Sequence, residues 1–333
     1  MLQRAIFVLL VSFFATSLYS QQPAAWKDPS PHIAQFVTVD KGLRLEVLDW
    51  GGSGRPPVLL AGGGDTAHVF DDFAPKLTSG FHVYGVTRRG FGESGFSATQ
   101  PTADQLGSDL LAVLDALKLE RPVLVGHSIA GEEMSSVANR YPQRLAGLVY
   151  LEAAYPYAFD NGKVPTMQQF QSLSGPQPPE PAGPDLASFP ALQQYYLRVL
   201  GFTYPEAELR QQWTSKPDGS VGAHRDFPGY AILASAITDY KKYSTIPVPT
   251  LAFFSLPHGQ GRWVDTNTAP KVSEAAKAYS AALTPLTENQ IKAFEQGVPG
   301  ARVVRIAGAH HYVYLSNEAD VLGEVRLFLK GLS

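Results

Sequence analysis

Cysteine is absent from all 333 residues, which excludes disulfides, thiolate catalysis and cysteine-ligated metal sites within this chain. Charge is sparse as well. Lys and Arg number 27 against 30 Asp and Glu, the formal net charge is −3, and no long basic run occurs. Nothing there offers a field for nucleic acid or an anionic membrane surface, so no nucleic-acid partner is expected. The apolar segment Ala5 to Ala15 falls short of the roughly 20 residues that span a bilayer. It follows Arg4 and precedes small residues at Ser17 and Ser20, the pattern of an export signal over residues 1–20 cleaved near Ser20 or Ser17. The alternative is an uncleaved anchor. With no cysteine after the signal, a lipid-modified N-terminus has no attachment point. The mature chain is therefore expected to be periplasmic or secreted, with no stable membrane anchor.

What is present is an alternation of apolar runs and amphipathic stretches. "AQFVTVD" and "LRLEVLDW" read as two strands around a Lys41-Gly42 turn. "PPVLLAGGG", "HVYGVT", "PVLVG", "AGLVYL", "PTLAFFS" and "ARVVRI" are short runs apolar on both faces, as parallel strands between helices require. "TADQLGSDLLAVLDALKL", with Thr102 as N-cap, "EEMSSVANRYP" and "EADVLGEVRLFLKG" read as helices. The order implies an α/β fold with a doubly wound, mostly parallel eight-stranded sheet. From Tyr155 to about Tyr243 no clean strand is visible, while prolines and aromatics crowd together. That stretch reads as an inserted, mainly helical cap, with "ALQQYYLRVLG" and "AILASAITDYKKY" as its clearest helices. A flexible linker would not carry so many large apolar side chains. The expected division is core 32–154, cap 155–245 and core 246–333.

Chemistry concentrates at "PVLVGHSIAGEEM". A serine hydroxyl attacks only when a base removes its proton and donors hold the oxyanion it creates. Ser128 lies between an apolar run and a helix, where a sharp turn would expose its hydroxyl. Gly126, Ala130 and Gly131 supply the small residues that such a turn needs. The alternative is a serine merely ending a buried strand. Of eight histidines, His32 and His82 read as surface or strand-end residues and His68 as opening a helix. His127 is placed to pack. His310 and His311 stand in the loop after the last strand, and His311 is the favoured base. Gly62, Gly63 and Gly64 permit close backbone approach, so the N–H groups of Gly63 and Ile129 are the expected oxyanion hole.

Taken together these residues resemble the α/β-hydrolase superfamily, in particular its serine hydrolases with a cap, from about Phe36 to the C-terminus. "PVLLAGGGDTAHVFDDFAPKL" is similar to the oxyanion strand and loop, and "VTRRGFGESG" to the D-x-R-G-x-G-x-S turn, with Arg89, Gly90, Gly92 and Ser94 matching. "VGHSIAGEEM" resembles the nucleophile elbow. "GAHHYVYLSNEADVLGEVRLFL" resembles the histidine loop and final helix. The chain departs from the pattern at Ala61, at Thr87, and after "TLAFFS", where the usual aspartate is missing. Some members carry the acid after the sixth strand instead, and Glu152 stands at that point. Glu152 is favoured over Asp265 by chain order, with Asp160 third.

The resemblance implies acyl transfer by Ser128, His311 and an acid on a small, partly apolar substrate, with no metal or organic cofactor. Esterase activity is expected first. Amidase or peptidase, carbon–carbon hydrolase and perhydrolase chemistry would use the same residues, and a non-catalytic ligand-binding protein is the different class. A serine nucleophile argues against haloalkane dehalogenase and epoxide hydrolase chemistry. Substrate identity and oligomeric state are not legible.

Overall fold

The computed structural model describes residues 26–97, 101–231, 233, 240–266 and 269–332; the expected signal at 1–20 lies outside them. The first two apolar alternations form the expected hairpin. β1 (Ile33–Asp40) and β2 (Leu43–Gly51) pair antiparallel around Lys41 and Gly42, which take φ of 33° and 89°. β3 (Pro57–Leu60) and β4 (Val83–Val86) follow, then α1 (Ala103–Ala116), whose first turn is capped by the Thr102 side chain accepting from the Gln105 N–H. β5 (Val123–His127), α2 (Ala130–Arg140) and β6 (Gly147–Leu151) complete the first half.

The long insertion then begins. It contains α3 (Met167–Gln171), α4 (Phe189–Val199) and α5 (Glu206–Gln212). It also contains a two-stranded antiparallel sheet, β7 (Trp213–Ser215) with β8 (Val221–His224), where no strand was expected. These strands are too short to show an apolar period. Their signal lies in the turn, Pro217-Asp218-Gly219, where Gly219 takes φ 84°. The expected helix "ALQQYYLRVLG" is α4. "AILASAITDYKKY" falls mostly outside the described residues, and its last four residues, 240–243, are in no helix.

β9 (Thr250–Ser255) returns the chain to the main sheet. α6 (Arg262–Thr266), the 28-residue α7 (Pro270–Gly297), β10 (Arg302–Ile306), α8 (Val313–Ser316) and α9 (Glu318–Gly331) close it. The eight-stranded sheet runs β1-β2-β4-β3-β5-β6-β9-β10. Only β1, β2 and β4 meet antiparallel; every other pairing is parallel. β3, β5, β6 and β9 are buried at every residue, which explains their apolar runs. Leu59, Val125 and Phe253 belong to one hydrophobic cluster, and Leu60, Leu124 and Phe254 to another, so both faces of the sheet are covered. Register places His127 opposite Leu151, and Leu151 opposite Phe253. The carboxyl ends of the central strands therefore open together, where such sheets hold their ligands. Among the described residues no helix is long and apolar enough to cross a membrane.

Candidate active site

Two adjacent strands end in the same unusual way. Ser128, after β5, takes φ 51°, and Glu152, after β6, takes φ 52°. A non-glycine residue in this left-handed region costs on the order of 1–3 kcal/mol and persists only where its surroundings impose it. Here the Ser128 N–H donates to Leu151 O (3.1 Å) and the Glu152 N–H to Phe253 O (3.1 Å), so each turn is pinned to the neighbouring strand. Two of the small residues around Ser128, Gly126 and Gly131, leave no free space for a side chain. A Cβ on Gly126 would lie 2.3 Å from Met134 Sδ and 3.0 Å from Ala130 Cβ. One on Gly131 would lie 2.0 Å from Ala153 O. The glycine that follows Ala130 thus serves the seating of α2 against the chain after β6.

The turn presents the Ser128 hydroxyl to His311, whose Nε2 is 2.9 Å from Oγ. The opposite nitrogen, Nδ1, is 3.4 Å from Glu152 Oε2. Glu152 is fully buried. One of its oxygens accepts from the Ser255 N–H, and the other from Tyr155 Oη at 3.0 Å. Its burial is thus matched by hydrogen bonds. The structure brings Ser128, His311 and Glu152 together and leaves the other candidates apart. Asp265 is exposed on α6 and lines a cleft of about 700 Å³ beyond His258 and His310. Asp160 pairs with Lys242 at 3.2 Å. His310 turns to the Phe202 ring (5.1 Å between centroids), and burial, then His258 and His311, pushes it down to about 3.

His127 packs as expected, 4.6 Å from the Tyr312 ring, and burial followed by the His311 charge keeps it well below the usual histidine range. It also holds the base. With its Nε2 proton it donates to the His311 carbonyl at 3.1 Å. His32, read as a surface or strand-end residue, stands directly before β1, but its side chain is largely buried against Asp71, because the chain before β1 folds onto the protein.

Gly62 packs on the turn: a Cβ there would lie 2.6 Å from the His127 ring and 3.3 Å from Ser128 Cβ. Arg88, ion-paired to buried Glu133 at 2.8 Å, donates to Ala61 O (3.0 Å) and Gly62 O (3.2 Å). In a trans peptide the N–H points opposite the carbonyl. Tying the Gly62 carbonyl to Arg88 therefore turns the Gly63 N–H away from Arg88. Neither that N–H nor that of Ile129, at the start of α2, has an acceptor among the described residues.

Sequence reasoning missed Arg88, the variable position of the "TRRGFGES" turn, and Tyr157. Burial, then the Glu152 charge, holds Tyr157 well above the usual phenol range, so it remains a hydroxyl within reach of Ser128. Neither position carries a sequence signal, because both act through contacts between distant segments.

A doubly wound α/β sheet whose carboxyl edge presents a hydroxyl, an imidazole and a buried carboxylate in series defines the class. The chain belongs to the alpha/beta hydrolase family, whose model matches residues 58–324, and it spans less than half the length of the first curated relatives it matches. It is 28% identical over 233 residues to a bifunctional esterase/perhydrolase of Acinetobacter calcoaceticus, covering 65% of this chain and 79% of that protein. It is 29% identical over 156 residues to epoxide hydrolase 4 of Mus musculus, covering 44% of this chain and only 42% of that protein. Among solved structures it resembles E-2-(acetamidomethylene)succinate hydrolase, with a TM-score of 0.61, 19% identity, and coverage of 90% of this chain and 100% of that one.

Proposed function

We propose that the protein is a serine esterase that works through an acyl-enzyme on a small, partly apolar substrate. The observation that carries this is the series Ser128 Oγ, His311 Nε2 at 2.9 Å, and His311 Nδ1 at 3.4 Å from the buried Glu152. Ser128 attacks the ester carbonyl as His311 takes its proton. Glu152 orients the imidazole and stabilises the imidazolium that forms. The N–H groups of Gly63 and Ile129 hold the oxyanion. His311 then protonates the leaving alcohol, and a water repeats the sequence to free the acid.

The cap supports an apolar substrate portion. Leu233 stands over Gly63, and Tyr230 stands over Gly64. The similarity to an esterase/perhydrolase agrees with ester chemistry. The N-terminal apolar segment supports export to the periplasm or beyond, and N-terminal sequencing of secreted protein should begin near Gln21. Purified mature protein should hydrolyse short- and medium-chain nitrophenyl esters with a burst of one alcohol per chain, and the matching amides far more slowly. Failure to turn over any ester, with hydrolysis of amides or of no substrate, would contradict the proposal.

A further inference from the structure

On another part of the molecule, the segment before β1 folds over the short turn Ala67–Phe70 that follows the glycine loop. Four metal-ligating side chains meet there. Asp28, His32, His68 and Asp71 each offer one donor atom, and these atoms all lie within 4.8 Å of one another. The separations are 2.8 Å from His32 Nδ1 to Asp71 Oδ1 and 3.0 Å from His68 Nδ1 to Asp71 Oδ2. Asp28 Oδ2 is 3.5 Å from His68 Nδ1 and 3.7 Å from the other nitrogen of His32, Nε2, so His32 meets Asp71 and Asp28 through different ring nitrogens, of which an ion takes one. Ligands bound tetrahedrally at about 2.0–2.1 Å stand about 3.3 Å apart, and one donor atom from each residue, all within 4.8 Å of one another, can draw in to that spacing around an ion. The side chains of His32 and His68 are 7% exposed, that of Asp71 4%, and that of Asp28 24%.

We propose that Asp28, His32, His68 and Asp71 form a structural site for a divalent transition ion of the zinc class. The donor set, two imidazole nitrogens and two carboxylate oxygens, suits such an ion. The groups behind the ligands also fit. Beyond His68, Nε2 faces Glu46 Oε1 at 3.6 Å, and Glu46 in turn accepts from Thr87 Oγ1 at 2.8 Å. Beyond Asp71, Oδ1 accepts from Trp50 Nε1 (3.0 Å) and Ser30 Oγ (2.6 Å). Carboxylates and donors placed this way orient metal-bound histidines and carboxylates and fix the histidine tautomer. Charge points the same way, since three carboxylates surround two imidazoles and a dication removes most of the excess. The ion would fasten the leading segment to the turn that follows the glycine loop. A proton on His68 would close the same cluster as an ion network, and titration with metal separates the two.

Full mature protein is stripped with chelator and titrated with Co²⁺ and Zn²⁺. Binding is read by visible Co²⁺ absorption, metal stoichiometry and melting temperature. Glu152, His258 and His311 offer a second trio of donor atoms, so His258→Ala serves as a control. One ion per chain should bind in wild type and in His258→Ala and raise the melting temperature by several degrees. Binding should be lost in His68→Gln and His32→Gln, and weakened about 10- to 100-fold in Glu46→Gln, which touches no metal. Wild type that takes up no metal, or binding that survives both histidine substitutions, would overturn the site.

Discussion

Glu152 carries the account at the level of single residues. It reaches His311 only because the residue after β6 turns left-handed, as Ser128 does one strand away. Glutamate has no local preference for that state, so the sequence left Glu152 and Asp265 as competitors, and the register of β6 decides between them. Glu152→Gln should lower kcat on the order of 10³-fold or more, because the imidazole loses its orienting charge, while Asp265→Asn stays near wild type. Steady-state rates on one ester check this, and the reverse pattern would move the acid to Asp265. Arg88 acts at a distance from the bond being broken. Arg88→Lys keeps the charge beside Glu133 but gives up the fork that grips two carbonyls of the glycine loop. It should cost about tenfold or more in kcat with little change in KM, since a misaligned oxyanion donor weakens only the transition state. A rise in KM alone would place Arg88 in substrate binding.

At the scale of elements, the seating of α2 decides how Ser128 is presented. Gly131 touches the Ala153 carbonyl so closely that Gly131→Ala must push the helix away from the chain after β6. A loss of about 1–3 kcal/mol in stability is expected, with a larger fractional loss of esterase activity than of fold. Denaturant unfolding beside turnover measures both; wild-type values in each would show that the late glycine is incidental. The central sheet strands were legible because burial on both faces writes itself as unbroken apolar runs. α7 was not singled out, although "EAAKAYSAALTPLTENQIKAFEQ" is rich in helix formers, because Pro285 interrupts it. β7 and β8 escaped because strands of three and four residues have no period, and only the Pro-Asp-Gly turn marked them.

For the molecule as a whole, the cap is tied to the glycine loop through buried carboxyls. Glu208 of α5 accepts from the Thr66 hydroxyl (2.5 Å) and the Thr66 N–H (3.1 Å), and Gln212 bridges it to Asp65 at 2.9 and 2.8 Å. Burial raises both carboxyls, with the Asp65 charge adding to the rise at Glu208. A raised folded-state pKa means that the native protein holds protons the unfolded chain has released. Its stability therefore falls as pH climbs from the ordinary carboxylate range to the raised one, and is fully present only below it. Melting temperature should decline as pH rises from the ordinary carboxylate range to about 8 and level off beyond it, and Glu208→Gln should flatten the decline; an unchanged slope would mean that the pair holds no extra proton in the folded state. The fold and the Ser128–His311 pair were readable because they follow from order along the chain. The acid, the Arg88 grip and the cap anchor were not, because each joins segments far apart in sequence. The central claim rests on one hydroxyl, and a fluorophosphonate probe with peptide mapping tests it most directly. Wild type should label at Ser128 alone and Ser128→Ala not at all, whereas an unlabelled wild type or a labelled Ser128→Ala would contradict the account.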